Sequence, residues 1–321
     1  MTSVTPQAPG VVYVHGAGNK LPAADLKRAW DHDLFERDMG GQTRMAYYAD
    51  LLYAEPAAIA ADACAPQEAL AALVASTSQR AGDAGPGDAG PGQGRSLAGR
   101  ALAEEAELYA RLSPRGQQLA LRLSMAIAVQ ACARLPATAA APPAAGPWGQ
   151  EAALSGPLRQ LLLRELLRRL VPDADAYLFG PQGAQIRQRL SQELDAVAGT
   201  AIVVAHSLGT VVAYDVLAAA SPAERQVVLV TLGSPLGYPV IQELITQPVR
   251  VPASVRLWLN FADPWDIVTL DTTLGDEFRG GPGVIDVQVD NQSPNDHAPC
   301  GYLRLSQVRV AVAAALAEAH Q

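Results

Sequence analysis

A serine hydroxyl is a weak nucleophile until its position, a base and a group that stabilises negative charge are all supplied. Ser207 stands where position can be supplied, in Ala205-His206-Ser207-Leu208-Gly209. The apolar run Ile202-Val203-Val204 before it reads as a strand, and Thr210-Val211-Val212-Ala213 after it as the start of a helix. A turn from strand to helix that lifts a hydroxyl clear of a sheet is strained and needs small residues two before and two after the serine. Ala205 and Gly209 meet that need. The first backbone N–H groups of such a helix point at any negative charge that develops beside the serine. A β–turn–α unit of this kind also occurs where it binds a phosphate or nothing, so the pentapeptide alone leaves both readings open.

The elements that must position this serine follow from the apolar runs. Val11-Val12-Tyr13-Val14, bounded by Pro9-Gly10 and by His15-Gly16-Ala17-Gly18, reads as a strand buried on both faces. A helix is expected over Ala23 to Phe35, with Leu26, Ala29, Trp30 and Leu34 at helical spacing, and a second strand over Thr43 to Tyr48. Beyond Tyr177 the pattern alternates. A helix (Ala184 to Val197) leads to a strand (Ala201 to Ala205) and to the helix Leu208 to Ala220. Strands are then expected at Val227 to Leu232, Val255 to Phe261 and Val284 to Val289, and a last helix from Tyr302 to Ala319. Alternation of this kind predicts an α/β fold, a mostly parallel sheet of about six strands covered by helices. Ligands of such sheets sit beyond the carboxyl ends of the strands.

The stretch between, 54–176, differs in composition. It is rich in Ala, Leu and Arg and carries two Pro/Gly-rich segments, Ala81 to Gly94 and Pro136 to Gly149. The first of these, 81–94, reads as a flexible surface loop. Ser113-Pro114 and Ser155-Gly156-Pro157 are helix-start signals. Leu158 to Leu170 is amphipathic, with Pro172 expected to stop it. The run from Leu119 to Val129 alternates with period two, yet its length and alanines favour a buried helix. The chain therefore divides into a core of 1–53 and 177–321 and a large helical insertion, 54–176.

Composition narrows the function. Apolar residues are 49% of the chain, enough for a sizeable core, and the net charge is −8 with no Lys/Arg-rich run, which argues against nucleic acid or an anionic membrane as partner. Cys64, Cys132 and Cys300 are odd in number and far apart, which predicts no disulfide framework and no Cys-x-x-Cys zinc site and fits a reducing compartment. No His-Glu-x-x-His or similar spacing exists, so no metal is expected. The start of the chain has no basic residue and no apolar h-region, hence a cytoplasmic expectation that leaves room for export without a signal. Ala196 to Tyr214 is uncharged and long enough to cross a bilayer, but Gly199, His206, Ser207 and Gly209 interrupt it, and no transmembrane segment is expected.

Taken together, Val11 to Gly18, Ala205 to Gly209, Thr231 to Pro235, Trp258 to Asn260 with Asp263 to Val268, and Asp296-His297 resemble the α/β-hydrolase superfamily on its lipase and esterase side. Ala205 replaces the usual glycine that opens the superfamily's elbow. The resemblance implies a Ser–acid–His triad in that chain order, with Ser207 as nucleophile. The acid follows a late strand, where Asp266 and Asp263 compete. Asp266, before Ile267-Val268, has the family's shape, and Asp263, before proline, that of a turn former. The base follows the last strand, and His297 is the only histidine between the elbow and the final helix. The oxyanion would be held by the backbone N–H of Leu208 and a second N–H near Ala17. His15 is read as structural, His206 as pointing away from the pocket by strand alternation, His32 as a helix-face residue and His320 as part of the tail.

The implied activity is a cofactor-independent serine hydrolase that cleaves small-molecule carboxylic esters through an acyl-enzyme. The same triad serves an acyltransferase or thioesterase, a peptidase is compatible with it, and a non-catalytic binding scaffold of the same fold is the remaining alternative. The insertion would lie near the carboxyl ends of the strands as a lid or cap. Its Leu and Ala content would then favour a lipophilic acyl group. A helical appendage or a dimerisation element accounts for that composition equally well.

Overall fold

The computed structural model describes residues 10–58, 106–134, 168, 170–221, 225–269, 271–293 and 295–319, without the side chains of 128–134. Its centre is a six-stranded sheet: β1 (Val11–Val14), β2 (Thr43–Ala46), β3 (Ala201–His206), β4 (Val227–Leu232), β5 (Val255–Ala262) and β6 (Val284–Gln288). The order is β2-β1-β3-β4-β5-β6, and every neighbouring pair is parallel. β1 is flanked by β2 and β3, Val11 standing opposite both Thr43 and Ile202. The chain thus winds one way after β1 and the other way from β3, and the loops leaving those two strands face each other at the point of reversal.

Side chains alternate across the sheet and enter two separate cores. Val12, Val14, Val203, Ala205 and Leu229 pack with Ile186 and Leu190 of the helix Gln182–Asp195 and with the helix Leu208–Ala219. Val11, Tyr13, Ile202, Val204, Val228 and Val230 pack on the other face with Leu26, Trp30 and Leu34 of Ala23–Phe35 and with Val308 and Val312 of Ser306–Ala319. Both faces of β1, β3 and β4 are covered, which is why those strands read as continuous apolar runs. The Leu208–Ala219 helix is buried at every position from Leu208 to Leu217, as suits a helix that is apolar around most of its circumference.

Strand and helix ends fall within a few residues of those expected, with three corrections. The last helix is two helices, Pro299–Arg304 and Ser306–Ala319. Proline is well placed at the first turn of one, and Leu305 (φ −63, ψ 132) is extended between them. Pro172 does not end helical structure, because 170–178 is helical around it. Proline's fixed φ is compatible with helical backbone, at the cost of one hydrogen bond and of crowding against the carbonyl four residues earlier. Cys300 is disulfide-bonded, against the expectation from the cysteine count, and Cys64 and Cys132 both lie outside the described side chains.

In the 54–176 stretch, the helix Pro114–Arg134 starts where Ser113-Pro114 signalled, with Ser113 Oγ accepting from Gly116 N–H at 3.0 Å. Leu119, Leu123 and Ile127 are buried four apart while Leu121 and Met125 are exposed, so the period is helical despite the alternating letters. Arg122 makes two hydrogen bonds to Glu243 and ties this helix to the rest of the fold. The 81–94 loop, the Pro136 to Gly149 segment, the Ser155 helix start and nearly all of Leu158 to Leu170 lie outside the described residues. Among the described residues no helix is long and apolar enough to cross a membrane. Ala196 to Tyr214 spans a turn, β3, the Ser207 turn and part of the following helix.

Candidate active site

Ser207 leaves β3 at its carboxyl end with φ 54 and ψ −129, a conformation that costs a non-glycine residue on the order of 1–3 kcal/mol. Several contacts hold it there. Ser207 N–H donates to Leu232 O at 3.0 Å, and Thr210 Oγ1 donates to Ser207 O at 2.7 Å. Thr210 Oγ1 lies 2.8 Å from Ser234 Oγ, which accepts from Leu236 N–H, so a line of hydroxyls runs from the turn after β4 to the serine's own carbonyl. The elbow is also pressed against the end of β1. A Cβ on Gly209 would lie 2.5 Å from the carbonyl oxygens of Val14 and His15, and one on Gly16 would lie 2.7 Å from Ser207 Cβ. Smallness at 209 is therefore set by close approach of backbone.

His297 Nε2 is 2.8 Å from Ser207 Oγ, and His297 Nδ1 is 2.8 Å from Asp266 Oδ2. A carboxylate can only accept, so Nδ1 carries the ring proton and Nε2 is free to receive the serine's. All three residues are buried, Asp266 fully. Asp266 Oδ1 accepts from Val268 N–H at 2.8 Å, and Oδ2 accepts a second hydrogen bond, from Tyr302 Oη at 2.8 Å. Burial, with Asp266 adding to it, pushes the Tyr302 hydroxyl well above its ordinary pKa of 10, so it stays a donor. The same oxygen accepts from Asp263 N–H at 3.0 Å.

The two aspartates have different surroundings. Asp263 spends both carboxylate oxygens on backbone, Oδ1 on Trp265 N–H at 2.8 Å and Oδ2 on Asn291 N–H at 2.7 Å. It ties the end of β5 to the loop that carries His297. Burial pushes its carboxyl up to about 6 against the pull of those N–H donors, and Asp266 and Asp290 add repulsion. Asp266 is the carboxylate within reach of the histidine. Gly233 (φ 56) completes the surroundings of that pair, since a Cβ there would stand 2.8 Å from Asp266 Oδ2 and 3.1 Å from His297 Nδ1.

His206, expected to point away from the pocket, lies beside His297. Its Nε2–H donates to His297 O at 2.9 Å, and the two rings lie 4.6 Å apart. His15 accepts Tyr48 N–H on Nε2 at 3.1 Å, which leaves the proton on Nδ1 to donate to Gly16 O at 2.8 Å. Among the described residues, no acceptor meets the N–H of Leu208 or of Ala17; Leu208 follows Ser207 directly, and Ala17 follows Gly16, which abuts it. Tyr302 and the supporting contact of His206 escaped sequence reasoning. Neither residue has a spacing that marks it, and only the fold brings them to the site. The described residues hold no cluster of His, Cys, Asp or Glu suited to a metal. One cavity of about 360 Å³ is lined by Leu112, Ser113, Pro172, Asp175 and Phe179 among others and includes none of these residues.

Comparison with protein-family models, curated proteins and solved structures yields no match to this chain. What the chain itself displays is an α/β fold built on an all-parallel six-stranded sheet, with Ser207, His297 and Asp266 gathered at the carboxyl ends of its strands.

Proposed function

We propose that the protein is a serine hydrolase of carboxylic esters with an α/β-hydrolase-like core. The observation that carries this reading is the continuous line of hydrogen bonds from Ser207 Oγ through His297 to Asp266, with Ser207 held at positive φ on a strand-to-helix turn. In the reaction, Ser207 Oγ attacks the acyl carbonyl carbon while His297 Nε2 takes the hydroxyl proton, and Asp266 orients and stabilises the resulting imidazolium. The carbonyl electrons move onto oxygen, where the N–H groups of Leu208 and Ala17 receive the negative charge. Donors of this kind are each worth about 10²–10³ in rate. The tetrahedral intermediate collapses as His297 gives its proton to the departing alcohol. Water then repeats the sequence on the acyl-enzyme and releases the acid. No residue in this scheme calls for a cofactor. A lipophilic acyl group is the preferred substrate class, on the composition of 54–176.

The test is intact-mass labelling with a fluorophosphonate, mapped by peptide sequencing. Stoichiometric label on Ser207, absent from Ser207→Ala and slowed in His297→Ala, is expected. A folded protein that takes no label, with or without detergent, would refute a hydrolase and leave the binding-scaffold alternative. An ester and thioester panel with added alcohol acceptors then separates hydrolysis from acyl transfer.

A further inference from the structure

The loop after β1 is held by side chains that the triad does not use. The peptide unit joining Ala17 to Gly18 is gripped at both polar atoms: Ala17 O accepts from Lys20 Nζ at 2.6 Å, and Gly18 N–H donates to Asp173 Oδ2 at 2.7 Å. The preceding unit is gripped by His15 Nδ1–H on Gly16 O. In a trans peptide the Ala17 N–H points opposite to that carbonyl, and residue 16 abuts Ser207. Asp173 is almost fully buried, and its other oxygen accepts from Tyr53 Oη at 2.8 Å. Tyr53 lies where the chain leaves for the 54–176 stretch, and Asp173 lies in the helix 170–178 by which it returns. One carboxylate thus joins both ends of that stretch to the loop beside the nucleophile.

We propose that Asp173 is a positioning residue: by fixing the Ala17–Gly18 peptide unit it limits rotation about Ala17 and so, with His15 holding the Gly16–Ala17 unit, keeps the Ala17 N–H aimed at the oxyanion. The inference rests on the serine-hydrolase reading and adds to it a residue 155 positions away from its partner in the chain. Misaiming a donor without removing it costs rate and leaves ground-state binding alone, because the oxyanion exists only after attack. A buried carboxylate that served stability alone would lower the fraction of folded molecules and leave each folded molecule as reactive as before.

The experiment is the labelling rate with a fluorophosphonate, resolved into the maximal rate constant and the half-saturating concentration. In that step Ser207 Oγ forms a bond to phosphorus, the P–F bond breaks, fluoride leaves and the serine proton passes to His297, with the phosphoryl oxygen at the oxyanion position. Final label by intact mass counts competent molecules, so a misfolded fraction does not pass for a slow rate. Asp173→Ala is expected to lower the maximal rate about 10- to 100-fold with half-saturation within threefold of wild type. Asp173→Asn, whose amide oxygen can still accept from Gly18 N–H, is expected within about threefold of wild type. Should Asp173→Ala fail to fold, Asp173→Ser, one bond too short to reach Gly18, takes its place and is read the same way. A maximal rate within threefold of wild type, a loss carried by half-saturation alone, or Asp173→Asn as slow as Asp173→Ala would each overturn the proposal. Wild type that takes no label at all would instead sink the hydrolase reading beneath it.

Discussion

Gly233→Ala offers a direct measure of how tightly the site is built. The added Cβ meets two separate obstacles. The backbone at φ 56 is left-handed, which costs an L-residue about 1–2 kcal/mol. The Cβ would also stand 2.8 Å from Asp266 Oδ2 and 3.1 Å from His297 Nδ1, where ordinary contact begins near 3.4 Å, so the carboxylate must retreat by about 0.6 Å. That retreat acts on a hydrogen bond only 2.8 Å long. Overpacking of this kind adds about 1–3 kcal/mol of destabilisation, and misplacing catalytic groups by half an ångström to one ångström is expected to slow the reaction about 10- to 100-fold. Gly199→Ala supplies the control, since Gly199 has φ 70 with nothing within 4 Å of the added carbon. It should lose about 1–2 kcal/mol in urea denaturation and label with fluorophosphonate at the wild-type rate. Equal losses of stability in the two variants, or Gly233→Ala labelling within threefold of wild type, would refute the argument that the Asp266–His297 pair fills this space.

Other outcomes follow from contacts already described. His206→Ala removes the donor to His297 O and the ring beneath the imidazole; a roughly 10-fold slower labelling is expected, with partial recovery in His206→Gln, and wild-type rates in both would contradict a supporting role. Asp263 has its folded pKa raised from 3.8 to about 6, so the folded state holds a proton that the unfolded state has released between those values. Wild type should therefore lose stability relative to Asp263→Asn as pH rises from about 4 to about 6, and the difference should level off above that; urea midpoints showing no trend over this range would count against it. With three cysteines in the chain and Cys300 in a disulfide, denatured protein should show one reactive thiol before reduction and three after.

β1, β3 and β4 were legible because each is buried on both faces and reads as an unbroken apolar run. β3 and β4 announce themselves in Ile202-Val203-Val204 and Val227-Val228-Leu229-Val230 for that reason. Ser207 and His297 could be picked out because small neighbours and chain order are local signals. The structure separates the two aspartates by what their oxygens touch, a distinction that proximity to a proline or an Ile-Val pair could only suggest. Tyr302, the contact of His206 with His297, and Asp173 had no local mark. Each acts across 36, 91 or 155 residues on a single oxygen or N–H, and no periodicity records such a meeting. The break at Leu305 was hidden because apolar residues continue on both sides of it.

The two sides of the proposed reaction centre rest on different kinds of support. The helix that begins at Leu208 is enclosed by the core along nearly its whole length, so its amides can reach solvent only when the sheet and its covering layers come apart together. Hydrogen exchange there should report the stability of the entire molecule. The segment from Gly16 to Lys20 makes polar contacts to Glu55, Ala57 and Asp173, the last of which also meets Tyr53, and can open at smaller cost. On the serine-hydrolase reading, Ser207 and the Leu208 donor therefore belong to one unit of cooperativity and the Ala17 donor to another. Ser207 and the N–H beside it are kept in place by the whole fold, whereas the Ala17 N–H is kept by a local set of bonds that can be loosened or tightened without unfolding anything else.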